Sequence, residues 1–133
     1  MWKTNKDEKF TSDDIGDNIG FVYMIKCKSN GKMYIGKKNF WSKTRKSVKG
    51  KKRKTTIIKE SDWQDYYGSS ADLILDVEKY GKENFIRKIL HLCKSKGSMS
   101  YMEIKEQIDH RVLFNDVYYN NYIGCRIHGS HIK

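Results

Sequence analysis

Tyr23 and Tyr34 stand in two short apolar runs, Phe21-Val22-Tyr23-Met24-Ile25 and Met33-Tyr34-Ile35-Gly36, on either side of Asn30-Gly31. Asn-Gly is a strong hairpin signal, because both residues tolerate the positive φ of tight turns. A turn centred on this pair sets Tyr34 opposite Cys27, four residues beyond Tyr23. The two phenols then share a face, and any even change of register keeps them together. By themselves they read first as cross-strand packing. Glu103 and Glu106 are three residues apart in a second stretch of interest and share roughly one face of a helix. Ser100-x-x-Glu103 is also a capping box, with Met99 and Ile104 as its hydrophobic staple, and a carboxylate folded onto its own cap is less available to a cation. Cys125, His128 and His131 offer three possible metal ligands, one short of the four, usually paired, that structural zinc prefers. Cys27, Cys93 and Cys125 are widely spaced with no C-x-x-C, so reduced thiols are expected.

Charge points to a partner. The 133 residues carry a formal +11, and residues 26–59 hold fourteen Lys/Arg with no Asp or Glu. The remainder carries thirteen bases against sixteen acids, a net of −3. A field concentrated in one quarter of a small domain is the footprint of a polyanion. A membrane surface would call for an amphipathic helix with a large apolar face. The densest part, 43–54, has Val48 as its sole aliphatic residue, so nucleic acid is favoured. No apolar run approaches a membrane span or a signal peptide, and the mean hydropathy of −0.80 implies a lean core.

The elements that must position these residues follow from periodicity and caps. Residues 1–19 are polar and acidic and read as a loosely ordered arm, on which Trp2 and Phe10 could dock. The hairpin follows and closes at Asn39-Phe40-Trp41. The basic stretch 43–54 then reads as a loop that orders on phosphates. Ser61 to Tyr67 suggests a helical turn whose Trp63, Tyr66 and Tyr67 pack in the core or stack on bases. A helix is expected over Ala71–Tyr80, capped by Ser69 or Ser70 and stopped by Gly81. A strand covered on both faces is expected over Phe85–Cys93, with Ile86, Leu90 and Leu92 on one face and Phe85, Ile89 and Cys93 on the other. A second helix is expected over 99–111, and a tail wrapping the body through Leu113, Phe114, Val117, Tyr118 and Tyr119. The class is α+β, a small three-stranded antiparallel sheet flanked by helices in one domain.

Gly20-Phe21-Val22-Tyr23 and Met33-Tyr34-Ile35-Gly36, with Glu60-Ser61-Asp62-Trp63, Tyr67-Gly68-Ser69-Ser70 and Tyr118-Tyr119-Asn120 downstream, resemble the GIY-YIG nuclease superfamily. The likeness is to its small phage-encoded, homing-type members. It covers residues 20–125 and leaves 126–133 as a tail. The resemblance implies a divalent-metal-dependent DNA endonuclease acting in the cytoplasm of an infected bacterium. Catalysis would fall to Tyr23, Tyr34, Arg45, Glu103 and Asn120, with Glu103 holding Mg²⁺ or Mn²⁺. Glu106 is the alternative ligand and Arg53 the alternative arginine. One phenol would help take a proton from the attacking water. Its ordinary pKa of about 10 would have to be lowered by cations such as Lys26, Lys37 and Lys38.

Contacts to the DNA, taken as double-stranded and gripped through its backbone, would come from Lys37, Lys38, Lys43, Arg45, Lys46, Lys49, Lys51, Lys52, Arg53, Lys54, Ser69 and Ser70. Ser69 and Ser70 read as helix caps first and phosphate contacts second. His91 and His110 receive no role. The chain would act as a monomer or homodimer. A non-catalytic nucleic-acid-binding module that keeps the same fold is the competing expectation.

Overall fold

The computed structural model describes residues 1–46, 49–50 and 55–124, with Arg45, Lys46 and Thr55 described by their backbone alone. The elements are β1 (Trp2–Lys3), β2 (Gly20–Cys27), β3 (Met33–Asn39), β4 (Trp41–Lys46), β5 (Thr55–Glu60), α1 (Ala71–Tyr80), β6 (Phe85–Cys93) and α2 (Lys96–Asp109). The fold is α+β. β2 lies between β6 and β3 and is antiparallel to both, which is the expected three-stranded sheet. β1 extends it as a short parallel strand beside β6. β4 and β5 form a separate two-stranded antiparallel ribbon. No described helix is long and apolar enough to cross a membrane.

β2 is central because both of its faces are apolar. Phe21, Tyr23, Ile25 and Cys27 join a core with Trp2, Phe40, Trp63 and Leu73, while Val22 joins a second core with Ile35, Cys93, Met99 and Val112. A strand apolar on both sides has to be covered on both sides. Residues 1–19, expected as a loose arm, supply β1 and bury Trp2 and Phe10. The Trp2 indole N–H donates to the Trp63 carbonyl at 2.7 Å.

β6 departs from simple alternation. Its register with β2 shifts between Val22 and Tyr23, leaving Leu90 with no residue opposite. Phe85 and Ile89 belong to the first core, but beyond this bulge Cys93 belongs to the second and Leu92 is exposed. A bulge turns all that follows it, so the two-faced pattern expected for this strand holds only as far as Ile89.

α1 has its expected bounds. Ser70 accepts from the Leu73 N–H, and Gly81 ends the helix at φ 88°, in the positive-φ range glycine tolerates. α2 begins earlier than expected. Ser95, not Ser100, is its N-cap and accepts from the Ser98 N–H at 3.1 Å, so the Ser100–Glu103 capping box is not formed. The basic stretch, expected as a loop throughout, has its flanks in β4 and β5. Neither of these strands buries a described side chain. The tail docks through Val112, Tyr118 and Tyr119, whereas Leu113, Phe114 and Val117 are exposed.

Candidate active site

The hairpin places the two tyrosines. Tyr23 lies opposite Gly36 and Tyr34 opposite Ile25, two residues away from the expected register. The reason is a four-residue loop in place of a two-residue turn. The Cys27 N–H donates to Lys32 O at 2.8 Å, and the Gly31 N–H to Cys27 O at 2.9 Å. Because the shift is even, the phenols still share a face, with ring centroids 6.1 Å apart. Gly36 makes this possible, since a Cβ there would lie 2.6 Å from Tyr23 Oη and 2.9 Å from Tyr34 Cε1. The Tyr-Ile-Gly glycine is therefore the floor on which both rings rest.

Above them opens a cleft of about 400 Å³ whose lining includes Tyr34, Lys37, Ser69, Ser70, Glu103 and Asn120. Tyr34 Oη and Ser69 Oγ are 3.0 Å apart, and Lys37 Nζ donates to Ser100 Oγ at 2.7 Å. Tyr23 lies fully buried beneath, within reach of Tyr66, whose ring meets it edge-on at 5.9 Å. Glu103 is the one carboxylate on the described lining. Glu106 sits one turn further along α2 and points elsewhere. Its Oε1 is 2.7 Å from His91 Nε2, and its Oε2 is 3.4 Å from His110 Nδ1. The bulge in β6 brings His91 round to this face.

Asn120 reaches the cleft with its amide committed to backbone. Oδ1 accepts from the Ile35 N–H at 3.1 Å and Nδ2 donates to Ile35 O at 2.8 Å. Gln107 donates to the same carbonyl at 3.0 Å. These bonds, with Met33 N–H to Val117 O and Tyr119 N–H to Met33 O, lay the tail along the outer edge of β3. Tyr119 also donates to Asp76 at 2.6 Å, tying the tail to α1.

Burial dominates the electrostatics. It pushes the Tyr23 phenol well above the usual tyrosine range, with neighbouring Tyr66 and Tyr34 adding to the rise. Burial also raises Tyr34, against a lowering hydrogen bond from Ser69. The expected depression by nearby lysines is not found: desolvation raises both phenols. Glu103 is raised by burial as well, opposed by the charge of Lys37 and by its backbone N–H. A half-buried carboxylate among hydroxyls, with room for water and a phosphate, suits Mg²⁺ or Mn²⁺, which take one or two protein carboxylates and keep several waters. Among the described residues no cluster of three or more His, Cys, Asp or Glu forms a closed metal cage.

The other expected residues lie apart. Lys38 pairs with Asp62 at 2.7 Å and sits over the Tyr66 ring at 4.3 Å. Lys43 is exposed on β4, and Lys49 is exposed in the turn beyond it. Arg45 and Lys46 have backbone positions at the far end of β4, opposite Thr56 and Thr55. Lys51, Lys52, Arg53, Lys54, Cys125, His128 and His131 fall outside the described residues. The sequence reading missed Arg87, and it gave Tyr66 core packing or base stacking without placing it beside Tyr23. Arg87 is buried, donates to Gln64 O and Tyr66 O at 2.9 Å each, and stacks on Tyr67, which holds Tyr66 against Tyr23. An arginine on the same side of the strand as Phe85 and Ile89 was the available signal.

The family described as "Putative endonuclease segE, GIY-YIG domain" matches residues 2–123. No curated protein and no solved structure matches the chain. A paired-tyrosine hairpin floored by the Tyr-Ile-Gly glycine, a glutamate from α2 and this match over nearly the whole chain agree: the protein belongs to the GIY-YIG nuclease family.

Proposed function

We propose that the chain is a divalent-metal-dependent DNA endonuclease that hydrolyses phosphodiester bonds in the cleft above Tyr23 and Tyr34. The observation that carries this reading is the meeting of one carboxylate, one lysine and one hydroxyl pair in a single cleft, at Glu103, Lys37 and Tyr34–Ser69. Glu103 would hold Mg²⁺ or Mn²⁺. Such an ion, when bound, polarises the phosphoryl oxygen and lowers the pKa of water. Lys37 faces the charge that develops on the phosphate, a role the family pattern gave to Arg45 or Arg53. Tyr34 Oη and Ser69 Oγ orient the attacking water, and Tyr23 supports Tyr34 from below. Both phenols keep their protons at neutral pH, so they act as hydrogen-bonding partners and relays, not as free phenolates.

Supercoiled plasmid incubated with the protein and Mg²⁺ or Mn²⁺ at low salt tests this. Nicking is expected, since one site per chain makes a single-strand cut the minimum event. Glu103→Ala should reduce it by about a thousandfold, and Glu106→Ala by no more than about tenfold. If Glu106→Ala were the inactive variant, the ligand assignment would be wrong by one helical turn.

The second reading, a non-catalytic DNA-binding module, is favoured by the commitment of the Asn120 amide to Ile35 and by the upward shift of both phenols. Salt-sensitive binding with no cleavage in either metal would select it.

A further inference from the structure

The candidate active site does not end at Lys37. A depression lined by Lys37, Lys38, Asn39, Lys96, Met99 and Ser100 adjoins it. This one shares Asn39 and Lys96 with a groove of about 270 Å³ whose remaining lining is Ile19, Trp41, Lys43 and Ile58. The groove is built on one face of the β4–β5 ribbon. Lys43 lies directly opposite Ile58, and Trp41, two residues before Lys43, shares its side.

Trp41 is 41% exposed and Ile58 59% exposed, whereas Trp2 and Trp63 are each 1% exposed. The Trp41 indole stays partly in solvent beside Ile19, Ile58, Lys43 and Lys96, whereas the other two indoles are buried in the core. Lys96 has no helix-stabilising role. It opens α2, whose first turn holds no acid, and a cation there opposes the helix dipole. Lysines spaced along a path with an aromatic at its end are the means by which proteins hold a single nucleic-acid strand, phosphates on the cations and a base on the ring.

We propose that the Trp41–Ile58 groove binds an unpaired nucleobase of the strand that enters the cleft, with its phosphates passing Lys37, Lys96 and Lys43. The inference rests on reading the cleft as the site where DNA is cut. It adds a substrate class: DNA with unpaired nucleotides beside the scissile bond.

Trp41 is the exposed member of the three tryptophans, so acrylamide quenching of intrinsic fluorescence reports on it selectively. The measurement uses the wild-type chain with chelator and no metal, and a thymidine oligonucleotide of about ten residues, with binding followed by anisotropy. At saturation the quenchable fraction should disappear. A blunt, fully paired duplex bound to the same extent should leave Trp41 quenchable. Trp41→Ala should weaken oligonucleotide binding about tenfold, and Trp41→Phe much less. Unchanged quenching at saturation overturns the proposal, and equal protection by the blunt duplex overturns it in favour of a duplex contact. Plasmid cleavage with an unprotected Trp41 would sink this inference and leave the nuclease reading standing. Protection without cleavage in any metal would sink the nuclease reading and the substrate class with it, and leave the groove only as a base-binding site.

Discussion

At Gly36 the absence of one methyl group lets two phenols meet. A Cβ would strike Tyr23 Oη at 2.6 Å, and Tyr23 has no freedom to retreat because its ring is packed against Trp2, Phe21 and Tyr66. Gly36→Ala should therefore cost about 1–3 kcal/mol in urea denaturation and lower cleavage as well. Glu103 carries the opposite kind of strain. Its carboxyl is raised by burial, so the folded state favours the protonated acid, and the contribution is lost as pH rises through the folded-state pKa. Glu103→Gln should accordingly melt roughly 2 °C higher than the wild type at neutral pH. The gap should close as pH falls below the carboxylate range in thermal melts. At this scale the sequence named Tyr23, Tyr34 and Glu103, because each belongs to a local pattern. It could not give the direction in which the phenols titrate, which depends on Trp2 and Tyr66 arriving from distant parts of the chain.

Elements with local punctuation were read to the residue, and those without it were not. α1 has its start and its stop written beside it, in Ser70 and Gly81. α2 offers two serines, Ser95 and Ser100, and the choice is made by packing. Met99 must lie under the sheet in the second core, which draws the helix start back to Lys96. Ser100 is thereby freed to receive Lys37. Ser95→Ala should cost about 1 kcal/mol of stability, as loss of an N-cap does. Ser100→Ala should leave the melting temperature nearly unchanged while altering the KM for DNA, because it releases the lysine that faces the cleft. Parallel melting and steady-state cleavage measurements separate the two. β4 and β5 were hidden because exposed strands dense in Lys, Arg and Thr lack the apolar alternation by which a half-buried strand is recognised.

On the scale of the whole molecule, charge and core are segregated. Residues 42–59 hold nine of the Lys/Arg and no acid, and replacing them with a short Gly-Ser turn would bring the formal charge from +11 to +2. The ribbon is fastened at its base by the Ser61 N–H to Phe40 O bond and buries none of its described side chains. The shortened chain should keep its melting temperature within a few degrees, yet the slope of log affinity against log salt should flatten sharply in DNA titrations. The charge run itself announced a polyanion partner, but that it rides on a ribbon apart from the sheet was set by tertiary structure. The main sheet, for its part, presents neither of its outer strands bare. Lys9 bridges to Lys3 beside β1, and Tyr118 bridges to Met33 beside β3. An uncovered strand edge is a template on which a second chain can add and fibres can grow. The run that covers β3 ends in Asn120, so the segment that shapes the cleft also shields the sheet from polymerisation. Any change that loosens Asn120 from Ile35 would expose an adhesive edge along with a damaged site.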